Sequence, residues 1–365
     1  MSKDPLQHLS DPHDKAPFWS LDLRQTLRQQ LLNWWQLFGR HDLPWSNANA
    51  YGVWISEVML QQTQVITVKA KYQQWMKTFP TIEALANAPQ EQVFQLWEGL
   101  GYYSRARNVH KAAKQMQSQH NSQMPSLRED RLNLPGVGPS TASAIGSFAF
   151  QQHEAIMDGN VERVWSRWWG NNMPSFDKES EKRQWLWSIA QSAMPSSPEQ
   201  SRPWTQAMMD LGATICTPKN PKCEQCPWQS SCAALASGNP TQWPVKKKSI
   251  TKQVEHWHFG YFKNNQRSAW IQLQGPRWTG LWVPAVVEAP NENTVLMSGK
   301  TLLTHRIVHW TFSEQLGWPS DKDVVWLTWE EALQKPWPRM LKKAWNALSE
   351  HEQETLKNNG ACVLE

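Results

Sequence analysis

The chain has 365 residues, 40% of them hydrophobic and 19% charged, with a formal net charge of +5 at neutral pH. That length exceeds one ordinary core and predicts two or three domains, and the composition excludes fibrous and wholly disordered classes. The mild positive balance has the sign that suits a polyanion, and with no run of about eighteen uncharged apolar residues and an acidic, apolar-poor start, MSKDPLQHLSDPHDKAPFW, neither export nor membrane insertion is expected.

Residues 1–20 are polar and rich in Pro, His and Asp, which predicts a disordered tail. From 21 to 236 the apolar residues recur at three- and four-residue spacing, broken by Pro and Gly, and predict a helical domain. Within it, VWISEVMLQQTQV places one carboxylate, Glu57, among Val53, Ile55, Val58, Met59, Val65 and Ile66, with Gln61, Gln62 and Thr63 one turn on. An acid so surrounded should have a raised pKa and can donate a proton; a surface glutamate is the competing reading. LPGVG, Leu134 to Gly138, followed by PSTASAIGS, has the form of helix, glycine turn, helix. Gly136 and Gly138 are expected to take positive φ and turn backbone N–H groups toward a phosphate, although any two antiparallel helices can share a glycine turn. Asp158 in AIMDGNVERV follows an apolar stretch and precedes a helix, so it can serve as an N-cap and as a carboxylate facing a developing positive charge.

Cys216, Cys223, Cys226 and Cys232 follow with spacing C-x6-C-x2-C-x5-C. Four of five cysteines within seventeen residues do not form a disulfide framework in a chain of this size and fit a reducing compartment. Zinc sites usually pair two short knuckles across a longer gap, so outer gaps of six and five favour a [4Fe–4S] cluster. Lys219 and Lys222, between the first two cysteines, can meet phosphates or simply remain solvated. Residues 237–252, ASGNPTQWPVKKKS at their heart, predict a linker. From 253 to 365 the period changes: VEHWHFGYFKNNQRSAWIQLQ predicts two strands around an Asn-Asn turn, and VVWLTWEEALQ and RMLKKAWNAL predict a strand followed by helices, giving a small α/β domain. Cys362 is expected to stand idle in the C-terminal tail. Of the twenty-five tryptophans many, such as Trp34, Trp35, Trp97, Trp165 and Trp187, fall in helical patterns and are expected to fill cores or grooves.

WISEVMLQQTQV, LWEGLGYYSRARN, LPGVGPSTA, MDGNVERV and QAMMDLGATIC, in that order, resemble the helix-hairpin-helix DNA glycosylases with an iron–sulfur cluster, and among them the MutY-type adenine DNA glycosylases. The resemblance covers most of Leu21 to Ala236 and implies an all-α glycosylase domain with a [4Fe–4S] loop followed by an α/β, MutT-like domain. It implies a cytoplasmic, nucleoid-associated monomer that binds double-stranded DNA, flips out adenine mispaired with 8-oxoguanine or guanine, and cuts its N-glycosidic bond. In that family's scheme Glu57 protonates the adenine N7, Asp158 stabilises the oxocarbenium-like sugar, Asn160 orients the site, and Gln62 and Tyr102, with Gln61 beside them, fill the vacated stack. Ser140 stands where bifunctional relatives such as endonuclease III carry a lysine nucleophile, which implies a monofunctional enzyme that leaves an abasic site. Glu162, where a basic residue is common, and Ser46, where Arg or Gln is common, depart from the pattern and bear on affinity. RWTGLWVPAVVE resembles the second domain's glycine loop, and LTHRIVHW resembles its 8-oxoguanine-inspecting loop, with Thr304 and His305 as contacts. The acidic nudix helix is absent, which implies lesion binding without nucleotide hydrolysis; a plain packing module is the competing reading. An endonuclease III-like pyrimidine glycosylase with AP lyase activity and a catalytically silent iron–sulfur DNA-binding protein are the alternative functions.

Overall fold

The computed structural model describes residues 19–245, 251–275, 278–303, 305–320 and 323–358. Most of the expected tail, part of the expected linker, Thr304 and Cys362 lie outside these. Twelve helices come first: α1 (Leu21–Phe38), α2 (Ala50–Leu60), α3 (Val65–Thr78), α4 (Ile82–Asn87), α5 (Gln90–Trp97), α6 (Tyr103–Gln119), α7 (Arg128–Leu132), α8 (Pro139–Phe150), α9 (Gly159–Trp169), α10 (Glu179–Ala193), α11 (Pro198–Asp210) and α12 (Ala233–Ala236). Seven strands follow: β1 (Gln253–Tyr261), β2 (Lys263–Asn264), β3 (Arg267–Gln272), β4 (Trp282–Val287), β5 (Val295–Leu302), β6 (Arg306–Glu314) and β7 (Val325–Leu327). Helices α13 (Trp329–Leu333), α14 (Arg339–Ala347) and α15 (Glu350–Asn358) close the described chain.

The chain divides into two compact units. One holds the described residues up to Asn87 and from Asn108 to Val245; the other holds Ala88–Arg107 together with the described residues from Thr251 onward. Thus α5 and the first turn of α6, which the sequence reading kept within the helical domain, pack with the sheet.

Local chemistry sets the ends of the helices that matter most. Asn49 caps α2, its side chain accepting from Gly52 N at 2.9 Å, and the helix then buries Tyr51 to Ser56, Val58 and Met59. A helix apolar on nearly every side must run through the core. Pro139 begins α8 immediately after the glycine turn, where a missing N–H costs nothing. At the far end of α11 the backbone widens into a π turn, Leu211–Ile215, which delivers Cys216.

Seven tryptophans of this unit form one connected lattice. Trp19 lies 5.5 to 5.8 Å, centroid to centroid, from Trp165, Trp168 and Trp169. Trp165 continues to Trp228 at 5.2 Å, Trp228 to Trp204 at 6.3 Å, and Trp169 to Trp185 at 4.8 Å. Most of these pairs meet edge to face or tilted, the arrangements the ring quadrupole favours, so the expectation of core packing accounts for part of the tryptophan content.

In the second unit the seven strands form a mixed sheet of order β2-β3-β4-β1-β6-β5, with β7 on β3. The expected hairpin is modified. The turn falls at Asn265 and Gln266, and β1 pairs in parallel with β6 and antiparallel with β4 rather than with β3. Alternation identifies a strand but not its neighbour, because a parallel partner fifty residues away leaves no local mark. The core holds Trp270, Trp329, Trp337 and Trp345, with Trp329 and Trp345 stacked at 4.5 Å. Helix α13 starts with a capping box between Thr328 and Glu331.

Candidate active site

Glu57 sits in the last turn of α2 and lines a pocket with Arg40, Trp45, Ser46, Arg202 and Gln206. Its pKa is raised to about 8, chiefly because burial strips the carboxylate of water and secondly because the charge of Asp158 is near. The negative end of the α2 dipole acts in the same direction. Asp158 caps α9: Oδ1 accepts from Asn160 N at 2.9 Å and Val161 N at 2.8 Å, and Oδ2 from Asn160 Nδ2 at 3.4 Å. The structure therefore gives this carboxylate the capping role and keeps it close enough to Glu57 for the two to interact.

Asn160 is itself held. Its Oδ1 accepts from Arg163 Nη2 at 2.8 Å, and Arg163 also donates to Gly212 O and Cys216 O, both at 2.8 Å. One buried guanidinium thus joins the capping pair to the backbone of the first cysteine. The close approach depends on glycine, since a Cβ at Gly212 would fall 2.8 Å from Asn160 Cβ.

Ser140, the first-turn residue of α8, uses its hydroxyl to accept from Met157 N at 3.2 Å and so fixes the Ile156–Met157 peptide, one residue ahead of Asp158. Gly136 has φ +77° and Gly138 does not: it is extended, at φ −89° and ψ 174°. The expectation of positive φ fails at Gly138 because that residue is already the N-cap of α8, which takes β geometry. A Cβ at Gly136 would lie 2.7 Å from Asn108 Cβ, whereas one at Gly138 would meet nothing within 4 Å. Both glycines are exposed.

Gln61 ends α2, its amide donating to Thr141 Oγ1 at 3.4 Å. Gln62 is exposed with φ +56°, a conformation uncommon for a residue with a side chain. Tyr102, in the second unit, is likewise strained at φ +46° and 49% exposed. Glu162 does not stand alone, for Arg183 reaches it at 3.9 Å. His305 is exposed beside β6, its carbonyl accepting from Gln253 N at 3.2 Å.

The four cysteines line one pocket, and none is in a disulfide. Burial pushes the Cys226 thiol up to about 12 and raises Cys223 and Cys232 as well. Such thiols ionise only beside concentrated positive charge, which a bound iron cluster supplies. Arg167 donates to Cys216 Sγ at 3.4 Å and to the Thr217 and Pro218 carbonyls, holding the loop. Four thiols round one pocket fit a cluster that takes one thiolate per iron. Lys219 and Lys222 are exposed on this loop.

Sequence reading missed Asp210, Arg40, Gln206 and Arg163. Asp210 is fully buried and accepts from Arg40 N at 2.8 Å, Arg40 Nε at 2.8 Å, Trp35 Nε1 at 3.1 Å and Gln206 Nε2 at 2.8 Å, with Arg40 Nη2 at 2.7 Å. It thereby orders two side chains of the Glu57 pocket. The signal was present in QAMMDLG, a lone acid among apolar residues, the same mark that exposed Glu57.

Two family models match. One describes an HhH-GPD superfamily base excision DNA repair protein and covers residues 55–188; the other, the iron–sulfur binding domain of endonuclease III, covers residues 216–232. An adenine DNA glycosylase of Buchnera aphidicola subsp. Baizongia pistaciae is 40% identical over 257 residues, 70% of each chain. The human adenine DNA glycosylase is 43% identical over 217 residues, 57% of this chain and 39% of that one. A solved thermostable thymine-DNA glycosylase superposes with a TM-score of 0.53 at 26% identity, over 59% of this chain and 97% of its own.

Proposed function

The chain belongs to the adenine DNA glycosylases of the HhH-GPD superfamily, and from that premise we propose that it releases adenine from duplexes in which that base faces 8-oxoguanine or guanine. It is a DNA N-glycosylase of base excision repair, and Cys216, Cys223, Cys226 and Cys232 hold a [4Fe–4S] cluster. When bound, the cluster supplies the positive charge that keeps the four thiolates ionised and fixes their loop.

The observation that carries the mechanism is the neighbouring pair Glu57 and Asp158, with the first pushed to about 8. At neutral pH Glu57 holds a proton and, in our reading, passes it to N7 of the extruded adenine. The C1′–N9 bond then breaks with its electron pair leaving on the base. Asp158 faces the cationic sugar, and water adds at C1′ with loss of a proton to the Glu57 carboxylate, which restores the acid. Asn160 holds Asp158, while Arg40 and Gln206, ordered by Asp210, support recognition of the base edge. Gln62 and Tyr102, exposed in strained backbone, fit the role of wedges in the vacated stack, with Gln61 bracing the turn. Gly136, Gly138, Ser140, Lys219 and Lys222 fit the phosphate backbone.

Ser140 spends its hydroxyl on Met157 N, and no amine stands at that position, which supports a monofunctional reaction. We assign lesion inspection to Thr304 and His305 in a MutT-like second domain, and infer a monomer at the nucleoid from the substrate. Duplexes with adenine opposite 8-oxoguanine, or opposite guanine, should break only after alkali. Breakage without alkali would favour the lyase alternative, and no breakage at either pair would refute the substrate assignment.

A further inference from the structure

The turn that precedes β4 is built to grip α5. Gly280 has φ +81°, and a Cβ there would fall 2.7 Å from Phe94 Cε2 and 3.1 Å from Gln90 Nε2, so the helix rests directly on the glycine. One turn along, Glu91 accepts from Trp282 Nε1 at 3.2 Å and from Lys335 Nζ at 3.1 and 3.3 Å, while Lys335 lies 5.1 Å from the Trp282 ring centroid. Arg107 Nη1 donates to Thr279 O at 2.6 Å. The same turn is thus held against both the helix before Tyr102 and the helix after it.

From α5 the contacts run on to Tyr102. Phe94, which meets Gly280, packs edge to face on Tyr103 at 5.5 Å. Trp97, wholly buried, donates to Gly101 O at 3.0 Å. Arg105 donates to Leu100 O at 2.8 Å and Gly101 O at 3.3 Å, with its guanidinium 5.3 Å from the Trp97 ring and 5.8 Å from the Tyr102 ring. Gly99 and Gly101 have φ +93° and +72°, so three of four consecutive residues, Gly99 to Tyr102, hold positive φ. Such backbone keeps one shape only when its surroundings over-determine it.

We propose that Glu91, Gly280 and Lys335 are positioning residues: through them the sheet-bearing unit sets the posture of Tyr102 and so its ability to wedge the DNA stack. The inference rests on the wedge role given to Tyr102 above, but its structural half can be read without DNA. Hydrogen exchange of amides 98–105 in the free, cluster-loaded protein should be about tenfold faster in Glu91→Lys, where two ammonium groups repel, and should return most of the way in Glu91→Lys with Lys335→Glu. Exchange unchanged by Glu91→Lys would overturn the proposal.

The functional half uses a duplex with adenine opposite 8-oxoguanine and 2-aminopurine as the adjacent base, whose fluorescence rises on extrusion. Glu91→Lys should reduce that signal about tenfold, and the same change made in Tyr102→Ala should add little, since residues acting through one another are non-additive. A loss that persists undiminished without the tyrosine would show that the grip acts elsewhere. Wild-type protein that gives no signal, yet shows the expected exchange, would count against the wedge reading and not against the grip. Lys335→Gln, which removes the ammonium that Glu91 accepts from and adds no clash, repeats both measurements should Glu91→Lys fail to fold.

Discussion

Glu57 owes its proton to where α2 puts it: burial first, and the Asp158 charge second, lift it from 4.5 to about 8. Turnover should accordingly be flat through neutral pH and fall about tenfold per unit above 8, as the acid is lost. Replacing Asp158 by Asn removes the repulsion, so a carbon-13 titration of Glu57 in that variant should show a lower midpoint. Because the folded value lies above the unfolded one, the native state binds the extra proton between about 4.5 and 8, and stability falls as pH rises through that window. Glu57→Gln lacks this slope. It should lose adenine release by roughly 10²- to 10⁴-fold, yet gain stability over wild type on the order of 4 kcal/mol at pH 8, with the difference vanishing near pH 4 in thermal unfolding. Asp210 is the contrasting case, an acid buried with its partners. Asp210→Ala leaves Arg40 and Gln206 unanchored and should cost about 3 kcal/mol of stability by denaturant unfolding, together with a raised KM.

At the scale of elements, α9 does two jobs from one end. Its first turn presents Asp158 and Asn160, and Arg163 carries the connection to Gly212 O and Cys216 O. Arg163→Gln should therefore lower both bound iron and adenine release, measured on the same preparation by iron analysis and single-turnover kinetics. A loss of release at full iron would confine Arg163 to the capping pair. The hairpin gives a paired comparison. Gly136→Ala forces a Cβ into Asn108 at positive φ and should destabilise the fold by about 1 to 3 kcal/mol. Gly138→Ala has open space and extended backbone, so it should leave stability within about 0.5 kcal/mol of wild type while weakening DNA binding. Equal effects on folding would mean that the second glycine is structural too.

Across the whole molecule, legibility followed the range of the interaction. Glu57, Asp158, the hairpin and the cysteine run each announce themselves within at most seventeen residues, by an acid among apolar neighbours, a cap before a helix, two glycines, or four thiols. The hub at Asp210 reads only when Arg40, 170 positions away, is seen beside it. The attachment of α5 to Gly280 and Lys335, and the parallel pairing of β1 with β6, are likewise settled by distant partners. The tryptophan lattice belongs to this long-range class and has an optical consequence. Indoles 4.8 to 6.3 Å apart share excitation, and Trp228, which joins the lattice at 5.2 Å from Trp165, stands between Cys226 and Cys232. Ultraviolet light absorbed at Trp185 can thus migrate to the iron and be quenched there, so the intact protein should glow faintly for its aromatic content and brighten as the metal is stripped.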